Sequence, residues 1–437
     1  VILLRSIRNI FAIPELVRKL AFTLGVFIIY RLGSLVPIVG INTVLLSKHM
    51  TQSGLFTKGF LGYLNVFSGG SLQSATLFAF GISPYITASI MMNLLTMSVP
   101  WLEALQKEGE FGRRQINQYT RYLAIALSLF WGSMYVGYLE MQGLALSPGW
   151  SFRALFLLSI MIGTLLVMWL ADQISLYGVG NGSSMIIFAG IVARFPVYIQ
   201  RTVAMVQQGE MSIFIALGAL VMFIGLAVCV IFLEKGERKV PVQYARRIIG
   251  NRVYGGQSSY IPFKINVAGV MPVIFAAQVM SVPTMLAKLF SYLTASWSGF
   301  GIFDAMAGSA LFLYLARFAL IMAFSFFYTA LVFNPTELAQ NIKKSGGFIP
   351  GVRPGKQTAT FFDYLLNRIG LVGALYLATL AILPDIVSQW LYLPFHFGGT
   401  SLLIMVGVAL EVSSQIESYL IEHRYEGFLT TGRIKRR

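Results

Sequence analysis

A lone cysteine, Cys229, leaves this chain no intramolecular disulfide. Histidine is nearly as scarce: His49, His396 and His423 are scattered, and their spacing suits no metal site. Charged residues make up only 11% of the 437, and acids are the scarcer sign, 17 Asp and Glu against 33 Lys and Arg. No Walker A loop is present. Gly178-Val179-Gly180-Asn181-Gly182 is glycine-rich, but it lacks the strand and crossover of a dinucleotide fold and reads as a tight turn between two membrane helices. No catalytic triad, HExxH helix or paired-carboxylate site is visible, so neither an enzyme nor a cofactor is expected. Residues 1–19 carry no cleavable signal pattern.

Apolar side chains are what the chain has in excess. They make up 56% of it, with a mean hydropathy of +0.72. No water-soluble domain buries that much, so a polytopic, all-α membrane protein is expected. Ten apolar segments run over 20–38, 75–99, 122–139, 154–171, 183–206, 213–233, 267–289, 309–333, 369–387 and 398–416. With the N-terminus inside and the connections alternating, the inside set holds 25 Lys and Arg. The outside set holds 5: Lys48, Lys58, Arg153, Arg201 and Lys288. That bias predicts cytoplasmic termini and explains the +16 net charge without nucleic-acid binding. Arg31, Arg194 and Arg317 fall inside segments and should face protein or water, or snorkel.

Three places depart from plain spans. Residues 55–71, LFTKGFLGYLNVFSGGS, are too short to cross about 30 Å of hydrocarbon yet too apolar for a free loop. Pattern alone allows a re-entrant half helix or an amphipathic helix on the outer surface. In the second segment Gly81 and Pro84 predict a break and a kink near the start, with Ile82 and Ile86 on one face. Ile in a membrane helix usually faces lipid or a neighbour. Val270-Met271-Pro272-Val273-Ile274 repeats the break in segment seven, and broken helices often line pathways. The third departure is a pair of long basic connections, 234–266 and 334–368, the latter holding Arg353 between Pro350-Gly351 and Pro354-Gly355. Charge alone says only that they stay inside. Length and turn chemistry add the expectation of ordered projections that dock an anionic partner.

Six stretches carry a family resemblance: NVFSGGS (65–71), FGISPYITASI (80–90), KEGEFGRRQINQYTRY (107–122), GVGNGSSMIIFAGIV (178–192), YTALVFNPTELAQNIKKSGGFIPGVRPG (328–355) and FGGTSLLIMVGV (397–408). In this order, nearly end to end, the chain resembles the SecY family, the channel subunits of the bacterial protein-secretion translocon.

The resemblance implies two inverted five-helix halves, 1–208 and 209–437, around a central hourglass pore. It implies a lateral gate between helices 2 and 3 and helices 7 and 8. A pore ring would comprise Ile82, Ile86, Ser183, Ile187, Ile274 and Ile404, where Ser183 replaces the usual aliphatic and should loosen the seal slightly. A plug around 56–70 would include Phe60, Leu64, Asn65, Phe67, Ser68, Gly69 and Gly70. Partner docking would fall to Arg246, Arg247, Arg252, Lys343, Lys344 and Arg353; Asn251-Arg252 stands where the family often has two arginines. Implied partners are SecE-like and SecG-like small membrane subunits, the SecA motor ATPase, the ribosome, signal peptides and nascent chains, and membrane lipid. The implied location is the bacterial inner membrane.

An ion-coupled small-solute transporter is the competing expectation. It needs polar or ionisable ligands at the midplane, where this chain offers mainly Ile. An intramembrane enzyme would need a nucleophile–base or metal pair, and none is visible.

Overall fold

The computed structural model describes residues 13–42, 45–46, 59–244, 247–249, 252–254, 258–280, 310–390 and 398–432. Its helices are α1 (Pro14–Gly33), α2 (Gly59–Phe67), α3 (Ser83–Ser98), α4 (Pro100–Lys107), α5 (Glu110–Met141), α6 (Trp150–Tyr177), α7 (Gly182–Val192), α8 (Phe195–Gln207) and α9 (Ile213–Lys235). They continue with α10 (Met271–Met280), α11 (Ala310–Val332), α12 (Pro335–Lys344), α13 (Lys356–Trp390) and α14 (Gly399–Gly432). Among the described residues seven helices are long and apolar enough to cross a membrane, eight if α3 and α4, bent by 99°, count as one span.

Two of the ten expected segments account for the difference. α1 spreads Glu15, Arg18, Lys19 and Arg31 over 20 residues, which dilutes its apolar run. Segment 267–289 is described only as far as Met280, as the short apolar helix α10. Several spans also outrun the bilayer. α5 has 32 residues and α13 has 35, which at 1.5 Å per residue is about 48 and 52 Å, so turns of each project into water.

The expectation of an all-α chain is corrected by a small sheet. β1 (Glu237–Tyr244) pairs antiparallel with β4 (Ser258–Lys264) and with β5 (Gly347–Phe348), while β2 (Arg247–Ile249) and β3 (Arg252–Tyr254) form a two-stranded hairpin. The cause is legible in β1, ERKVPVQY, which buries Val240 and Val242 on one face and exposes its neighbours, a period of two. The expected kink at Pro84 is also corrected. Pro84 lies in the first turn of α3, where its missing amide would be unbonded anyway, so it starts the helix rather than bending it. Pro272 is likewise the second residue of α10.

Packing divides the chain into two compact units, Val1–Ala204 with Val408–Arg437, and Met205–Gly407. In the first, Phe80, Trp131, Tyr135 and Phe156 form a chain of ring contacts. The turn 178–182 closes tightly: Gly182 lies so near the Ala171 carbonyl that a Cβ would collide with it, and Gly180 N–H donates to Gln415 Oε1 at 2.7 Å. Leu16 and Val179 pack with Val412 and Ile416, and Lys19 Nζ donates to the Tyr419 hydroxyl at 2.6 Å. In the second unit the Tyr376 hydroxyl donates to the Cys229 carbonyl at 3.3 Å, tying α13 to α9. Phe214, Leu217, Leu220 and Val221 are exposed on α9, an apolar face suited to lipid.

Candidate functional site

The short helix α2 and its exit turn are built into the first unit. Leu64, Asn65, Phe67 and Ser68 are each at most 2% exposed, a burial that a helix lying on an outer surface would not have. The exit turn is closed locally. Gly70 N–H donates to the Asn65 carbonyl at 2.8 Å, and Gln73 N–H donates to Asn65 Oδ1 at 3.1 Å. Tyr135 on α5 donates its hydroxyl to the Leu72 carbonyl at 2.7 Å. Gly69 has φ +66°, and a Cβ there would stand 2.9 Å from the Gly190 carbonyl oxygen on α7. Glycine at 69 thus serves both a left-handed turn and a close backbone approach. The side chain of Phe60 lies outside the described residues.

The six ring positions divide between the two units. Ile82 is fully buried at the start of α3 and Ile86 follows one turn later, its amide donating to the Ile82 carbonyl at 3.1 Å. Ile187 is buried in α7, on the same face as Ser183 by the four-residue spacing. Ser183 is partly exposed. Its amide and hydroxyl both donate to Asn181 Oδ1, at 3.1 and 2.7 Å, so the hydroxyl is occupied in the helix cap. Ile274 on α10 and Ile404 on α14 belong to the second unit and are buried.

The two basic connections form one lobe. Val240, Val242 and Phe263 of the sheet pack with Ala339 and Ile342 of α12, Ile349, and Phe362 and Leu366 at the start of α13. Phe263 sits 5.4 Å from Phe362 and 5.8 Å from Phe333, centroid to centroid. Phe362 lies near the start of α13, ahead of the apolar segment 369–387. Asn334 caps α12, accepting from Thr336 N–H at 3.2 Å, and exposed Lys343 and Lys344 occupy its last turn, where the helix dipole favours cations. Arg353 is exposed between Gly351 (φ +85°) and Gly355 (φ +108°), and its carbonyl accepts from the Thr358 hydroxyl at 2.9 Å. The hairpin register sets Arg247 opposite Tyr254 and Arg252 opposite Ile249; Arg246 lies outside the described residues. On β1, Glu237 accepts from Lys239 at 3.2 Å and, with the Tyr260 ring 4.8 Å away, raises the Lys239 pKa.

The family model for SecY matches residues 76–413. The chain belongs to the SecY family. Its SecY relatives include the protein translocase subunit SecY of Escherichia coli (strain K12), 42% identical over 96% of this chain and 95% of that protein. The protein of the same name from Thermus thermophilus is 40% identical over the full length of both. Among solved structures a protein conducting channel matches with TM-score 0.64, at 18% identity over 92% of each chain. Sec61 of the canine ribosome–channel complex from the endoplasmic reticulum matches at 0.59, with 16% identity over 92% of each chain. At those identities the likeness speaks for the fold alone.

Two features escaped the sequence reading. Asp385, directly after Pro384 in α13, pairs with Arg317 of α11 at 2.5 Å, both side chains about one-fifth exposed. An acid inside an apolar segment that also holds an arginine-bearing neighbour was the available signal. The other is the seat of Gly69 on Gly190, which no local pattern announces.

Proposed function

We propose that this chain is a protein-conducting channel. It passes unfolded secretory polypeptides across the bacterial inner membrane and releases apolar segments sideways into lipid. Membership of the SecY family carries this reading. The finer arrangement is our proposal: ten spans in two inverted halves, 1–208 and 209–437, with both termini cytoplasmic, supported by the charge bias. Each proposed half enters one short helix through a proline in its first turn, at Pro84 and at Pro272, which suits a repeat.

Ile82, Ile86, Ile187, Ile274 and Ile404, with Ser183, would make the constriction. A collar of branched aliphatics excludes water and ions, yet offers a passing chain nothing to bind tightly. The helix around 60–70 would plug the pore at rest. The second and third of the ten spans, 75–99 and 122–139, would part from the seventh and eighth, 267–289 and 309–333, toward lipid. A central Leu, Ile, Phe or Val gains only about 0.3 to 0.6 kcal/mol on leaving for the membrane, so only long apolar stretches would exit. The basic lobe would receive SecA or the ribosome, and SecE-like and SecG-like subunits would complete the complex. The transporter reading is not favoured: the charges inside α11 and α13, Arg317 and Asp385, pair with each other.

The test is a stalled secretory chain carrying one cysteine, in a Cys229→Ser channel with cysteine placed at Ile86 or Ile404. Disulfides should form at both positions only while the chain is in transit. Equal cross-linking at Leu220, on the apolar exposed face of α9, would defeat the assignment.

A further inference from the structure

Arg194 follows the apolar helix α7, where a cation is costly unless polar groups receive it. Its guanidinium lies over Gly70, at the exit of α2. A Cβ on Gly70 would collide with Nη2 and stand 2.8 Å from Nε and 3.0 Å from Cζ. Nη2 donates to Gln73 Oε1 at 3.5 Å and Nη1 to the Tyr198 hydroxyl at 3.4 Å. One turn back, Gly190 receives Gly69, and a Cβ on Gly190 would lie 2.9 Å from the Phe67 carbonyl oxygen. Two successive turns of chain thus press on Phe67, Gly69, Gly70 and Gln73.

The two contacts differ in kind. The glycine pair is a shape fit with no flexible part. The arginine contact rests on long, charge-assisted hydrogen bonds from a side chain with many rotamers, so it is the one that can let go without rebuilding the backbone. Other ties of the exit turn, Gly70 and Gln73 to Asn65 and Tyr135 to Leu72, close the turn on itself or fix its far side.

We propose that Arg194 is a positioning residue of the gate: its guanidinium, seated on Gly70 and Gln73, is the catch that holds the short helix in its buried place. This rests on the reading of that helix as the plug. Withdrawal of the guanidinium frees Gly70, and the helix then pivots about the left-handed pair Gly69–Gly70.

The test uses the full-length channel complex in proteoliposomes, with Arg194→Met, Arg194→Lys and a deletion of 60–68. Amide exchange over 64–73 and resting ion conductance are both read. Arg194→Met should speed exchange there about tenfold, the size of losing a hydrogen bond to a charged group, and raise the resting conductance. Arg194→Lys should recover part of both, since it keeps the charge but not the fork. Exchange over Ala124–Val136 of α5 should stay at its native rate; equal acceleration there would mean general loosening and overturn the catch. Unchanged exchange over 64–73 overturns it too. So does faster exchange with a tight channel when the deletion variant leaks. If instead neither the deletion nor Arg194→Met leaks while exchange over 64–73 still rises, the catch stands and the plug reading falls.

Discussion

Arg317 and Asp385 show what one pair of residues does inside an apolar environment. Each alone is costly in hydrocarbon, and together they form a short ion pair between α11 and α13. Removing one partner leaves the other uncompensated. Asp385→Leu should therefore lower stability by about 3 to 5 kcal/mol, seen as a fall in accumulated protein and in melting temperature in detergent. Joining it to Arg317→Met should restore most of the loss, because two apolar side chains need no partner. If the double variant melts as low as the single one, the pair has a role beyond neutralisation. At this scale the sequence was half legible. Arg317 stood out as a cation in an apolar run, but its partner lies 68 residues away, and only the folded chain brings them together.

Elements were legible where their apolar period was long and uninterrupted. α5, α6 and α9 contain the expected segments, because a continuous apolar run permits little else in a membrane. Errors came where local chemistry overrode the count. Pro84 was read as a kink because it falls within an apolar run, yet the chain before it is turn and the helix begins at Ser83. The strands in 234–266 were not legible because the alternation of buried valines there is only a few residues long.

The lobe that these strands build has its own core, which makes a test at this scale. Phe263 is fully buried between the sheet and the start of α13. Phe263→Ala should cost about 3 to 5 kcal/mol by removing a large side chain from a packed interior. The expected reading is faster amide exchange in β1 and β4 and protease nicking within 234–266, with exchange in α5 unchanged. Loss of protection throughout the spans would show that the lobe is not an independent core.

For the whole molecule the governing quantity is the distribution of charge. The chain carries a net +16 with only 11% of its residues charged, and the proposed topology gathers that charge on one side of the spans. Orientation needs only that bias; docking needs presentation as well. Arg353 has it: exposed, at a turn set by two positive-φ glycines, and pinned by the Thr358 hydroxyl on its carbonyl. A guanidinium held on so short a tether loses little freedom when it meets a phosphate or carboxylate. Arg353→Glu should then impair secretion while the protein still inserts and accumulates, since one reversal among the 25 cations that the proposed topology puts inside leaves orientation intact. Partner binding to the native chain should weaken as salt rises, with a shallower salt slope in the variant, because one fewer counterion is released per complex. If charge on this side serves orientation alone, the variant secretes at the native rate and the salt slopes of the two proteins coincide.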